Sequence, residues 1–135
     1  MTVDYLIELL KGCEYFKNFN ISAGFLSEKT NSVSVIHNGN RETVRKYCDG
    51  SNIESLDFSL IIRLDSHFVN NLKNIAFLEQ ITNSLPSLRL SKASGFIPIG
   101  IEVIKGPVLS DDNIHSLKYQ INCRFLYLQE KEINI

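Results

Sequence analysis

Histidine is the side chain that proteins most often use to bind metals and to move protons near neutral pH. The chain has three histidines, His37, His67 and His115, and none lies in an H-E-x-x-H motif or in another paired-ligand spacing. The acidic run Asp111-Asp112-Asn113 lacks the central glycine and closing glutamate of a calcium-binding loop. These patterns favour histidines at the surface or at strand edges and an ordinary turn between two strands, and they predict no metal site.

Motifs for nucleotide binding and for nucleophilic catalysis do not occur either. The glycines occur singly, without the G-x-G-x-x-G or G-x-x-x-x-G-K-[ST] loops that hold phosphates, and no serine lies in G-x-S-x-G. Cys13, Cys48 and Cys123 form no C-x-x-C pair, which favours three reduced and mostly buried thiols. The sequence thus predicts no cofactor and no enzyme, although a catalytic site assembled from distant residues remains an alternative.

Composition describes an ordinary folded domain. The chain has 135 residues, of which 44% are hydrophobic and 21% charged, with a formal net charge of -1. We therefore expect a single domain over residues 1–135 and no general attraction to nucleic acid. No apolar stretch is long enough for a membrane span and no secretory signal is evident, so we expect an intracellular protein.

Two segments have the apolar spacing of amphipathic helices. Apolar residues recur every three or four positions from Thr2, a plausible N-cap, to about Lys17. The same spacing recurs between Phe68 and Leu85, and Pro86 follows where a helix has to have stopped. The sequence predicts one helix in each segment.

Alternating apolar and polar residues predict two long strands. In residues 56–64 the apolar side chains occupy one face, while Asp57, Ser59 and Arg63 occupy the other, and residues 117–127 alternate in the same way. Asp49-Gly50 suits a tight turn before the first of them. Shorter strands are predicted at residues 21–26, 33–37, 43–48 and 96–104, with breaks at Asn38-Gly39-Asn40 and Gly106-Pro107.

The order of these elements defines the expected fold. Helix, several strands, helix and two further strands do not alternate regularly, which favours an α+β fold. We expect a mostly antiparallel sheet of about five to six strands, with two main helices packed on one face.

Two stretches resemble the minor capsid and tail-completion proteins of tailed bacteriophages, a group that includes the tail terminators. Residues 44–51 (V-R-K-Y-C-D-G-S) followed by 56–60 (L-D-F-S-L) are similar to the family's aromatic, Asp-Gly-Ser and hydrophobic-strand pattern. Residues 119–130 (Y-Q-I-N-C-R-F-L-Y-L-Q-E) are similar to its closing strand. The order of elements also agrees from the first helix to Glu130.

The resemblance implies a structural protein made in the cytoplasm of a bacterial host and incorporated into a virion or tail-like particle. Terminators form a ring, usually of six subunits, that caps the tail tube, ends its polymerisation and presents a surface to the head. The implied partners are further copies of the chain, the tail tube protein, and a connector or collar protein on the head side. DNA would pass through the ring without specific recognition, and no membrane is involved.

The turn and the polar face of the strand at residues 56–64 lie within the matched region, so they are the predicted contacts between subunits. The candidate residues are Arg45, Tyr47, Asp49, Gly50, Asp57, Ser59 and Arg63. Arg41, Arg45, Lys46 and Tyr47 also form a modest basic cluster, but Glu42 lies within it, which favours a solvated strand face over nucleic-acid contact.

Three alternatives stay open. The first is a head-completion or stopper protein of the same neck, and the second is a headless, phage-derived bacteriocin as the host particle. The third is a small ligand-binding domain or enzyme whose site assembles from scattered residues such as His37, Asp65 and His115.

Overall fold

The computed structural model describes residues 2–24, 31–65, 71–90, 92–93, 95–112 and 116–129. The helices in these residues are α1 (Thr2–Lys11) and α2 (Asn71–Ser84). The strands are β1 (Asn20–Ala23), β2 (Ser32–Lys46), β3 (Asn52–Asp65), β4 (Phe96–Asp112) and β5 (Ser116–Gln129). His67, His115, Asn113, the predicted helix start at Phe68 and the predicted strand end at Leu26 lie outside the described residues.

The strands form one sheet in the order β1-β2-β3-β5-β4. The β2/β3, β3/β5 and β5/β4 pairs are antiparallel, and only the short β1 pairs in parallel, with β2. The structure therefore confirms the predicted α+β fold with a mostly antiparallel sheet.

Both helices pack on the same face of the sheet. Their buried side chains join one core with the inward-facing residues of β3 and β5. The largest fully buried members are Leu6, Phe16, Phe58, Leu60, Ile62, Leu78, Ile81, Leu85, Ile121, Phe125 and Tyr127. Each such side chain stabilises the fold by about 1.5–3 kcal/mol relative to exposure, so this shared core holds the two layers together.

The first helix is shorter than its apolar spacing predicts. It ends at Lys11, and Cys13 already has an extended backbone, with φ -81° and ψ 130°. A 3-10 turn at Glu14–Phe16 then carries Phe16 into the core. Gly12 is a poor helix former, which favours the end of the helix at Lys11.

The predicted break at residues 38–40 is wrong, because β2 continues through them to Lys46. The β2/β3 register shifts between His37 and Arg41, and again between Thr43 and Arg45. Such a bulge accommodates extra residues and bends the strand without ending its pairing. The two short predicted strands are therefore one strand.

The predicted stop at Gly106-Pro107 is also wrong. β4 runs on to Asp112, and its pairing with β5 shifts register between Lys105 and Val108. Proline is tolerated here because β4 pairs with β5 on one side only among the described residues. Asp111 and Asp112 accordingly belong to a strand and not to the predicted turn.

Neither described helix has the length and apolar character needed to cross a membrane.

Candidate assembly surface

The predicted turn at Asp49-Gly50 connects β2 to β3 and is held by a local hydrogen-bond network. Gly50 has φ 92°, a left-handed conformation that glycine adopts without strain. The Tyr47 N–H donates to the Ser51 carbonyl oxygen at 2.9 Å. One carboxylate oxygen of Asp49 accepts from the backbone N–H and the hydroxyl of Ser51, at 2.9 and 2.6 Å. The turn is thus a defined feature that fixes what surrounds it.

Next to this turn, the first residues of β4 and the end of β5 complete a shallow apolar groove of about 630 Å³. Its lining residues are Tyr47, Cys48, Asp49, Ser51, Ile53, Ile97, Ile99 and Leu128. Ile53 pairs with Leu128 and Leu128 with Ile97, so three apolar residues stand side by side on neighbouring strands. They lie on the face opposite the helices, and the groove stays open to solvent.

Tyr47 is the aromatic residue of this groove. It is 41% exposed, and the Arg45 guanidinium carbon lies 5.4 Å from the centroid of its ring. Aromatic and arginine side chains are the residue types that contribute most to protein–protein binding. Two of the predicted contact residues, Tyr47 and Asp49, therefore line the groove, and Arg45 and Gly50 flank it.

The outer edge of β4 is an unusually apolar surface among the described residues. Among the described residues no strand pairs with this edge, although β4 is 17 residues long. Five of its large apolar side chains are between 44% and 53% exposed. They are Ile97, Ile99, Ile104, Val108 and Leu109. A long apolar edge strand readily pairs with another chain, so proteins that remain monomeric usually shield such edges.

A second edge lies on the other side of the sheet. β1 pairs only with Ser32 to Val35, so residues 36–46 of β2 have no described neighbour on that side. All side chains from residue 41 to residue 50 are exposed, and Val44, at 58%, is the most exposed large apolar residue in the part of the chain that the structure describes. The described sheet thus has two open edges.

The predicted contacts on β3 are placed differently from those at the turn, because β3 lies inside the sheet. Asp57 accepts a hydrogen bond at 3.0 Å from Nε of Arg124, and this pairing raises the pKa of Arg124. Arg63 is half-buried and interacts within the chain. The expectation that Ser59 is exposed is wrong: it is 3% exposed and donates a hydrogen bond at 2.8 Å to Oδ1 of Asn122. The longer side chains beside a small serine exclude solvent from it.

Arg41 stabilises the face of the sheet that carries the helices, at the end near the turn between β2 and β3. Its Nε donates a hydrogen bond at 2.7 Å to the hydroxyl of Tyr127, and its guanidinium carbon lies 5.6 Å from that ring's centroid. The Tyr127 ring is fully buried, so this contact provides its polar end with a partner. The two residues are 86 positions apart, and no local sequence pattern connects them.

The cysteines divide into two kinds. Cys13 and Cys123 are buried as predicted, and burial raises the pKa of Cys123 to about 12. Cys48, by contrast, is exposed and lines the groove. Cys48 is consequently the thiol that reagents reach in the folded protein.

Little in the described residues resembles a catalytic site. No group of three or more His, Cys, Asp or Glu side chains there is arranged to hold a metal ion. His37 lies in β2, His115 lies outside the described residues, and Asp65 is described only in its backbone. The groove contains one carboxylate, Asp49, and one of its oxygens is already occupied by Ser51.

The chain matches no protein-family model, and no curated protein is similar to it in sequence. The function is therefore inferred from the surface described above and from the resemblance of residues 44–51, 56–60 and 119–130.

The sequence contained one sign of the β4 edge, which the predicted contacts missed. Pro98 cannot donate a backbone hydrogen bond, so it restricts its strand to an edge, a start or a bulge. β4 is an edge strand, and its register also shifts between Pro98 and Gly100. Together with the isoleucines on either side of it, Pro98 points to an apolar edge.

Proposed function

We propose that the protein is a structural subunit of a tailed bacteriophage or phage-tail-like particle. Copies of it form a ring, for which the resemblance implies six subunits, that caps the tail tube and ends its polymerisation. The observation that carries this proposal is the long apolar edge of β4. A free edge of this kind is stabilised when it pairs with another protein chain, as it does in an assembly subunit.

A ring requires two different surfaces on each subunit, since the same contact must be repeated around a closed rotation. The two open edges of the sheet, β4 on one side and residues 36–46 of β2 on the other, satisfy this requirement. The proposal therefore needs no rearrangement of the described fold.

The groove beside the turn supplies a further contact, for the tube or for the head-side connector. Its apolar lining and exposed Tyr47 have the composition of a binding pocket at the centre of an interface. The protein acts by binding alone: the ring docks on the last tube ring, blocks further addition of tube subunits and presents a new surface to the neck. DNA passes through its lumen, and the subunit requires no cofactor.

Light scattering of the purified protein, alone and after addition of the tail tube protein from the same particle, tests this proposal. We expect a closed ring, or a monomer that becomes a ring on the tube. We also expect Tyr47→Ala to weaken association with the tube at least tenfold, since loss of such an aromatic residue commonly costs about 2 kcal/mol or more.

Tyr15→Ala is the matched control, because Tyr15 is an exposed tyrosine outside the groove. It should bind the tube like the wild-type protein. A wild-type protein that stays monomeric and ignores the tube would contradict the proposal and favour a stopper protein or a ligand-binding domain.

A further inference from the structure

We infer that neighbouring subunits join edge to edge, with β4 of one copy pairing antiparallel with the free segment of β2 of the next. This inference rests on the proposed function, because it takes a second copy of the chain as the partner. It specifies which surfaces meet and in which orientation. The result is one sheet that continues from subunit to subunit around the ring.

Strand direction supports this junction. Three antiparallel pairings separate β2 from β4, so the two strands run in opposite directions within one subunit. A second copy placed beside the first in the same orientation brings its β2 next to the first copy's β4 with the strands antiparallel. Antiparallel pairing is the more common and slightly more stable arrangement.

The two edges also lie at the same height along the sheet. Lys46 is level with Asn52 of β3, which is level with Gln129 of β5 and then with Phe96 of β4. At the other end, Ile36 pairs with Ser59, Ser59 with Asn122 and Asn122 with Lys105, so Ile36 is level with Lys105. The free segment of β2 can thus meet residues 96–105 of β4 without a large shift along the strands.

Charge distinguishes this junction from a symmetric junction between two β2 segments. Residues 36–46 contain three basic residues and one acidic residue, a formal charge of +2. Residues 96–105 of β4, which would meet this segment, contain one basic residue and one acidic residue, a formal charge of 0. A β2–β2 junction would bring two segments of charge +2 together, whereas the β4–β2 junction pairs the basic segment with one of no net charge. Charge therefore favours head-to-tail pairing over a two-fold dimer formed through β2.

Val44 and Ile104 allow each edge to be blocked separately. Each falls in a register shift and has no paired residue on the neighbouring strand of its own subunit. Both are exposed, at 58% and 53%. Lysine at such a position blocks edge pairing without disturbing the internal ladder.

Two variants are mixed under the condition in which the wild-type protein assembles, which is either the protein alone or the protein with the tail tube protein. Val44→Lys leaves β4 free to pair, and Ile104→Lys leaves β2 free to pair. Each variant alone should fail to extend beyond a monomer, whereas an equimolar mixture should form a heterodimer of twice the monomer mass. Ile75→Lys, an exposed position on α2, is the control and should assemble like the wild type.

Circular dichroism and thermal unfolding establish that both blocked variants are folded before they are mixed. If Val44→Lys alone still forms dimers and only Ile104→Lys loses them, the junction is β4 to β4 and the inference is wrong while the ring subunit proposal survives. The inference is equally wrong if both variants assemble like the wild type. A wild-type protein that never assembles, even on the tube, contradicts the inference and the proposed function together.

Discussion

The path of β4, which carries the apolar edge, depends on the absence of a side chain at Gly106. A Cβ atom there would lie 2.7 Å from the carbonyl oxygen of Gln120 and 3.0 Å from Cα of Ile121, both backbone atoms of β5. Gly106 also has φ 120°, which side-chain-bearing residues rarely adopt. For Gly106→Ala, strain of about 1–3 kcal/mol and a steric cost of about 1–3 kcal/mol combine to roughly 2–6 kcal/mol of lost stability.

Two further glycines separate these contributions. Gly95 has φ 91° with open space around it, so Gly95→Ala should cost only the backbone strain, about 1–2 kcal/mol. Gly100 lies in β4 with open space and no positive φ, so Gly100→Ala should change stability by less than about 1 kcal/mol. Urea unfolding followed by circular dichroism suits the measurement, since the chain has no tryptophan. Equal stabilities for Gly106→Ala and Gly100→Ala would refute the close approach of β4 to β5.

Three other predictions concern the contacts around the sheet. Arg41→Met should lower the unfolding free energy by about 1–2 kcal/mol, and Tyr127→Phe should remove the same hydrogen bond, so the double variant should lose less than the sum of the two. Cys123 stays protonated in the folded protein up to a pKa of about 12, whereas the unfolded thiol ionises near 9. Stability should therefore fall as pH rises above 9, by up to about 1.4 kcal/mol per pH unit from this group, and Cys123→Ala should show a shallower decline in urea titrations across that range. In the native protein a thiol reagent should modify Cys48 before the two buried cysteines. Mass spectrometry should show that assembly on the tube slows this modification at least tenfold. Equal rates in the free and the assembled protein would argue against burial of the groove in the assembly.

Strong local patterns were sufficient for part of the fold. The alternation in residues 56–64 and 117–127 correctly predicted β3 and β5, because one face of each strand packs against the helices. Asp49-Gly50 correctly predicted the hairpin turn, since a left-handed conformation there strongly favours glycine. In both cases the determining interactions involve residues that are close in the chain.

The sequence predicted breaks in β2 and β4 that the structure does not have, because the prediction did not include pairing with the neighbouring strands. Glycine and asparagine at residues 38–40 and Gly106-Pro107 normally interrupt strands, yet β2 and β4 pass through them. Pairing with β3 and β5 on either side of each bulge stabilises the strand more than the local residues destabilise it. Cys13 shows the opposite error, because its spacing fits a helix that the fold ends at Lys11.

The sequence by itself determined the α+β class, the buried face of the two long strands and the turn that carries Tyr47 and Asp49. Only the tertiary structure decided which strands are edges, because strand order depends on pairings between residues far apart in the chain. That order placed Ser59 inside the sheet and left the isoleucines of β4 exposed. It also joined Ile53, Leu128 and Ile97 into one groove, since side chains become a surface only when the strands that carry them lie side by side.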